Sequence, residues 1–321
     1  MAIDPDTAVQ LAKIFMPYAM QKTDELQCGG KLVHYTTADV AIKIIRSQTI
    51  WLRNARAMHD FSEVQHGFTE LKSCLGADDS LLFKRLCAAL DGCAAGAGQE
   101  TIRVFDHWWK ETQFATYIAC FSRHDDAEDQ YGRLSMWRAF SQDTAGVAFV
   151  LRPPPPNAAA PARAILSPVG YFNQQDLKGQ VEAVIAQIEA NLDFLRRFEK
   201  PIIVGYAHRM LLMAVVSMKH QAFKEEQEWR VIHLPNLDQS PHLFSETEVV
   251  SGIPQIVWKL PLKNNPEIGI TNLTIPELLD RIIIGPTSYP ASIWEALVRE
   301  LNLIGVQDAH QKVYSSGIPL R

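Results

Sequence analysis

The chemistry-bearing stretch that stands out first is Phe223-Lys-Glu-Glu-Gln-Glu-Trp-Arg-Val231. On an extended chain alternate residues share a side, so Glu226, Glu228 and Arg230 would fall on one strand face, with Trp229 and Val231 on the other. Two carboxylates so placed suit glycosidic chemistry. One stabilises an oxocarbenium-like cation while the other handles an acceptor. The plainer reading of the same row is the solvated face of an edge strand. A second group is Lys31-Leu-Val-His34-Tyr35-Thr36-Thr37. A histidine on a short strand just before a helix N-terminus sits where backbone N–H groups and the helix dipole receive a phosphate-bearing ligand. Its alternative is a core histidine packed beside Tyr35. A third group, His59, Glu63 and His66, has the i, i+4, i+7 spacing of helical metal ligands. The same residues also read as a helix start, with Asp60 or Ser62 as cap and Glu63 in the first turn. A fourth runs from Cys120-Phe-Ser122 through Ser135-Met-Trp137-Arg138-Ala-Phe140 to Thr144–Phe149. It could form a pocket wall with Trp137 or Phe140 as a stacking face, or simply core. Neither Cys120 nor Ser122 has a histidine–acid pair beside it in sequence.

These side chains must be held by regular elements, and the apolar periodicities say which. Thr7–Lys22 reads as an N-terminal helix, Lys31–Tyr35 as a strand, Ala38–Ser47 as a helix capped by Thr36 or Thr37, and Thr49–Arg53 as a second strand. Three helical patterns follow at Phe61–Leu75, Asp79–Leu90 and Glu100–Thr112. The period then changes to strand-like at Ala115–Ser122, Ala145–Leu151 and Ala164–Gly170, with an exposed loop around Pro153–Pro156. Asp176–Leu195 and Gly205–His220 are helical, the second apolar on all sides and hence central. Strands at Glu228–His233, Gln255–Leu262 and Arg281–Ile284, a helix at Ser292–Leu301 and a last strand near Val313 complete the pattern. Helices and strands mix without a βαβ rhythm, so the fold class is α+β. The organisation predicted is an N-terminal helix within residues 1–30, then one domain over 31–321 with a helical insertion at about residues 60–114.

Composition narrows the function. With 321 residues, 47% of them apolar, and a net charge of −5, the chain has material for a full core and no broad basic footprint for duplex nucleic acid. Its five cysteines form no Cys-x-x-Cys pair, which fits a reducing cytoplasm and predicts no structural zinc. The apolar run Met210–Met218 is too short to cross a bilayer, and Met1-Ala-Ile-Asp-Pro-Asp has no leader pattern, so a cytoplasmic protein with no membrane partner is expected.

Taken in order, Leu32-Val-His-Tyr-Thr36, Ile50-Trp-Leu-Arg53, Asp60-x-x-Glu63, Cys120-Phe-Ser122, Met136-Trp137 and Gly146-Val-Ala-Phe149 form one set. Glu226-x-Glu228-Trp-Arg230, Ile282-Ile-Ile-Gly-Pro286 and Ser316-Gly-Ile-Pro319-Leu-Arg321 close it. The set resembles a bacterial family of unknown function met in phage-defence and abortive-infection contexts, and the match runs from about residue 31 onward. That family in turn is similar to divergent ADP-ribosyltransferases. The resemblance implies a split β-sheet core with a cleft for NAD as substrate. It implies Glu228 as catalytic glutamate and His34 on the adenosine ribose. Arg53 would lie on the pyrophosphate or nicotinamide ribose, and Tyr35, Ser122, Trp137 and Arg230 would line the cleft. Tyr131, Trp137 and Tyr171 compete for the nicotinamide-stacking role. Where the family prefers Asn-Asp, this chain has His59-Asp60. The expected activity is NAD-dependent ADP-ribosyl transfer or NAD hydrolysis by a toxin-type effector, with a protein, a nucleic acid or water as acceptor and a defence-system or neutralising partner. Two other expectations stand beside it: a non-catalytic module that senses NAD or ADP-ribose, and a metal-dependent nuclease built on His59, Glu63 and His66.

Overall fold

A computed structural model describes residues 3–58, 61–76, 80–141, 145–155, 160–250 and 252–319. In chain order the first half runs α1 (Pro5–Phe15), α2 (Pro17–Gln27), β1 (Lys31–Thr37), α3 (Ala38–Ser47), β2 (Thr49–Asn54), α4 (Phe61–Leu75), α5 (Leu81–Cys93), α6 (Ala97–Thr112), β3 (Tyr117–His124), α7 (Leu134–Ser141), β4 (Gly146–Leu151) and β5 (Ile165–Pro168). The second half runs α8 (Gln174–Ala190), α9 (Leu192–Leu195), α10 (Lys200–Val216), β6 (Glu228–His233), β7 (Phe244–Val250), β8 (Ile253–Pro261), α11 (Ile275–Leu278), β9 (Leu279–Ile284), α12 (Pro290–Leu303), α13 (Ala309–Lys312) and β10 (Val313–Ser315). The class is mixed α+β, with an open mixed sheet and many helices.

The single N-terminal helix expected over Thr7–Lys22 is two helices. Pro17 has no N–H to continue the ladder of α1 and instead starts α2, a position where its fixed φ is favourable. The Asp4 side chain accepts from the Thr7 N–H and fixes the start of α1.

The residues group into two compact units. One joins residues 1–24, 54–116 and 167–225 and is helical; the other joins 25–53, 117–166 and 226–321 and carries the sheet. The expected insertion at about 60–114 falls inside the helical unit. There α10 buries Ile203, Ala207, Leu211 and Val215 along one face and Leu212 and Val216 beside it, while Pro201, Gly205 and Arg209 form an exposed stripe, so the helix is not apolar on all sides.

In the sheet unit the strand order is β10-β9-β4-β1-β3-β2-β8-β7, with β6 added on β3 and β5 on β6. β10 runs parallel to β9, while β1–β3, β1–β4, β3–β6, β4–β9, β2–β8 and β7–β8 are antiparallel. One side of the sheet packs Leu32, Phe121, Phe149, Trp229 and Ile282 against Ile45 of α3 and Leu297 and Leu301 of α12 in a continuous core. Each such burial contributes about 1.5–3 kcal/mol. The bidentate pair of Arg46 with Glu300 (Nη2–Oε1 2.6 Å, Nε–Oε2 3.0 Å) ties those two helices together. On the other side Met136 and Trp137 of α7 pack on Val33, Tyr35, Ala148, Val150 and Ile283.

Candidate functional site

Strand register decides which side chains can meet. Directly paired residues project to the same side of a sheet and their neighbours to the opposite side. Val33 pairs with Ser122, Ser122 with Glu228 and Cys120 with Arg230. Ser122, Glu228 and Arg230 therefore share one side, the side that also carries Tyr35 and Trp137. His34 points the other way.

The side chains of Glu228 and Arg230 are closely engaged. Arg230 Nε donates to Glu228 Oε1 at 2.7 Å and Nη2 to Oε2 at 3.3 Å. Glu228 is 5% exposed, Arg230 is fully buried and Ser122 is 2% exposed. Beside this pair lies Arg133, a residue that sequence reasoning missed. Its Nε donates to Glu128 Oε1 at 2.7 Å, Nη1 to the Glu226 carbonyl at 2.9 Å and Nη2 to the Arg123 carbonyl at 3.0 Å. Its own N–H donates to the Tyr35 hydroxyl at 2.8 Å. Burial pushes the Tyr35 hydroxyl up to about 12, so it stays protonated. His124, two residues beyond Ser122 on β3, reaches Asp129 Oδ1 with Nε2 at 2.8 Å. Its Nδ1 has no hydrogen-bond partner among the described residues. No short motif links these groups, because loop carbonyls and distant strands bring them together.

Two expectations are corrected here. Glu226 does not continue the strand face of Glu228. It closes a 3-10 turn, Gln221–Glu226, and Gln227 at φ 45° turns the chain before β6 begins at Glu228. The alternation read from the sequence thus starts two residues too early. His34 and Glu228, expected to border one cleft, lie on opposite sides of the sheet. The His34 ring lines a small apolar cavity with Ile44, Ile50, Phe149, Leu262 and Leu278. His34 Nδ1 is 2.9 Å from the Cys120 carbonyl, close to where β1 parts from β3. Burial holds its pKa below the usual imidazole value, with the Cys120 contact opposing.

The remaining residues fall as follows. Arg53 follows Leu52, which is in the helix-covered core, so it lies on the Glu228 side; its Nε donates to Gln255 Oε1 at 3.2 Å. Trp137 is a packing residue. It is 2% exposed, its Nε1 donates to the Tyr131 carbonyl at 2.7 Å, and its ring meets Tyr35 edge-on at 4.8 Å. The ring lies so near two glycines that a Cβ on Gly132 or Gly285 would come within 2.7 and 2.8 Å of it. Phe140 and Tyr131 are largely exposed, and Tyr171 is part of the helical unit. His59, Asp60, Thr144, Pro156, Leu320 and Arg321 lie outside the described residues, as does the side chain of Glu63. His66 faces Glu70, Nδ1 to Oε1 3.8 Å. No group of three or more metal-ligating side chains gathers among the described residues. Among them, no helix is long and apolar enough to cross a membrane.

Residues 136–231, from α7 into β6, match the family model of a protein of unknown function, DUF2971. No curated protein and no solved structure matches the chain. The family-matched stretch includes Trp137, Glu226, Glu228 and Arg230; His34, Tyr35, Arg53 and Ser122 lie outside it.

Proposed function

We propose that the sheet unit carries an ADP-ribosyltransferase-like site that cleaves the bond between nicotinamide and ribose in NAD. The observation that supports this reading is the clustering of Ser122, Glu228 and Arg230 on one side of the paired strands β3 and β6. Bond cleavage develops positive charge at the ribose, and a fixed carboxylate stabilises that charge more in the transition state than in the bound substrate. Glu228 supplies the carboxylate. Arg230, clamped on it from the same strand, fixes its rotamer. Ser122 offers a hydroxyl beside it, and Arg53 adds positive charge on the same side for a pyrophosphate. His34 has no part in this site, and Trp137, buried and hydrogen-bonded to the Tyr131 carbonyl, offers no stacking face. ADP-ribose then passes to a protein, a nucleic acid or water, and on this reading the chain acts as a defence or toxin-type effector.

The test is a nicotinamide-release assay on the purified chain, with and without cell extract as acceptor source. Glu228→Gln should cut turnover by about 10²-fold, some 2.7 kcal/mol of barrier, with NAD binding little changed. Full turnover in that variant, or no NAD consumption by the folded wild type, sinks the enzymatic reading. A second reading, a non-catalytic module that binds NAD or ADP-ribose, is favoured by one observation: both carboxylate oxygens of Glu228 already receive Arg230. Calorimetric binding of NAD without turnover would select it.

A further inference from the structure

The helical unit contains a cavity of about 120 Å³ that the proposed reaction does not use. We propose that it binds an uncharged aliphatic chain of about six to eight carbons, since a dry apolar cavity of comparable size accepts a benzene-sized guest.

The walls carry the argument. Leu71, Leu75, Leu86, Leu177 and Leu211 form much of the lining. Met16, Met210, Met213 and Met218 add unbranched, polarisable side chains that adapt to a flexible guest. Two rings of the lining, Tyr18 and Phe172, are packed edge to face on each other at 5.0 Å, which favours a chain over a stacked aromatic guest. Among the described residues no Asp, Glu, Lys, Arg or His lines the space, so these walls offer a charged head group no partner. Gln180 brings one amide to the lining, while the three hydroxyls are turned inward on the protein. Ser217 Oγ donates to Ser167 Oγ at 3.0 Å, Ser167 Oγ to the Pro168 carbonyl at 3.3 Å, and the Tyr18 hydroxyl to the Val169 carbonyl at 3.2 Å.

The backbone keeps this space open. A parallel bridge joins Gly170 to Met218, with Gly170 N–H donating to the Ser217 carbonyl at 2.7 Å and Lys219 N–H to the Gly170 carbonyl at 3.0 Å. A Cβ on Gly170 would sit 2.2 Å from the Phe172 ring, so glycine is what lets that ring fold back as a wall. A guest that binds the folded state alone raises stability by mass action.

The experiment titrates the full chain with 1-butanol, 1-hexanol, 1-octanol and octanoate, by calorimetry and by thermal unfolding. Saturable binding of one 1-octanol is expected, with a raised Tm. Affinity should fall about fourfold for each CH₂ removed. Octanoate should bind at least tenfold more weakly than 1-octanol, the cost of its unpaired charge. Ala214→Phe should abolish binding by filling the space, and Val184→Trp, at the partly exposed rim, should do the same with less demand on the core. Non-saturable binding, affinity independent of chain length, octanoate binding as well as the alcohol, or undiminished binding in a folded variant would each overturn the proposal.

Discussion

On the helix-covered side of the sheet, His34 and His233 are polar rings set in an apolar wall. On the other side, the acidic Glu228 and the basic Arg230 are buried together and joined by two hydrogen bonds. The first side manages polarity by neutrality. His34 keeps one contact, to the Cys120 carbonyl, while His233 has neither ring nitrogen bonded among the described residues and rests edge-on against Trp258 at 4.5 Å. Burial lowers the pKa of both rings. The second side manages polarity by compensation, which makes each partner dependent on the other. A neutral ring tolerates isolation; a charge does not.

The largest expected effect comes from breaking the compensated side. Arg230→Met takes two hydrogen bonds from the buried Glu228 carboxylate and should destabilise the fold by about 3–5 kcal/mol, whereas Glu228→Leu/Arg230→Met should recover most of that loss. Urea unfolding of the three proteins measures it. A single variant as stable as the wild type would show that the pair contributes nothing to the fold and exists for ligand chemistry alone. Next in size is Gly285→Ala, which drives a methyl group into the Trp137 ring and should cost about 1–3 kcal/mol. Near-UV circular dichroism of the tryptophan band reads the displacement beside the melting curve.

The neutral side gives a smaller, pH-dependent effect. Below the ordinary histidine pKa of about 6.5 the unfolded chain takes up protons that buried His34 and His233 resist. The unfolded state then binds more protons, so stability is intact above that pH and is lost as pH falls through it toward the lowered folded values. His34→Leu should flatten part of that acid slope and cost about 1 kcal/mol at pH ~7.5 for the lost hydrogen bond. Unfolding free energies at pH ~7.5 and ~5.5 test both, and an unchanged slope would mean that His34 is protonated in the fold. The smallest effect distinguishes depth. Raising salt from about 0.1 to 1 M should leave the Glu228–Arg230 pair nearly untouched and weaken the partly exposed links of Lys259 to Glu246 and Glu248.

Much of this architecture is legible in the sequence where a periodicity is strong. The helix Ala38–Ser47 and the strand Glu228–His233 coincide with their expected bounds because apolar spacing and turn residues agree there. The strand β7 is missed because Phe-Ser-Glu-Thr-Glu is exposed along its length and so carries no buried face to read. Glu226 is misplaced because one left-handed residue, Gln227, resets the alternation without a glycine to announce it. Arg133 is invisible for a different reason: its guanidinium is held partly by the main-chain carbonyls of Arg123 and Glu226, and a carbonyl has no residue type. The separation of His34 from Glu228 follows only from register, which ties β1 to β6 through β3 across almost two hundred residues of chain.

The weaving of the two units out of three segments each bears on how this chain is made. Synthesis proceeds from the N-terminus, yet the last helical segment, residues 167–225, leaves the ribosome after two sheet segments, and the last sheet segment starts only at residue 226. A nascent chain therefore completes no hydrophobic core before about two thirds of it has been synthesised, and its early strands and helices wait with apolar faces uncovered. Such non-local closure slows folding and lengthens the interval in which chaperones are needed. It also means that residues 136–231, although matched as one stretch, begin in one unit, cross the other and end back in the first. Expressed alone, that stretch would carry pieces of two cores and the whole of neither.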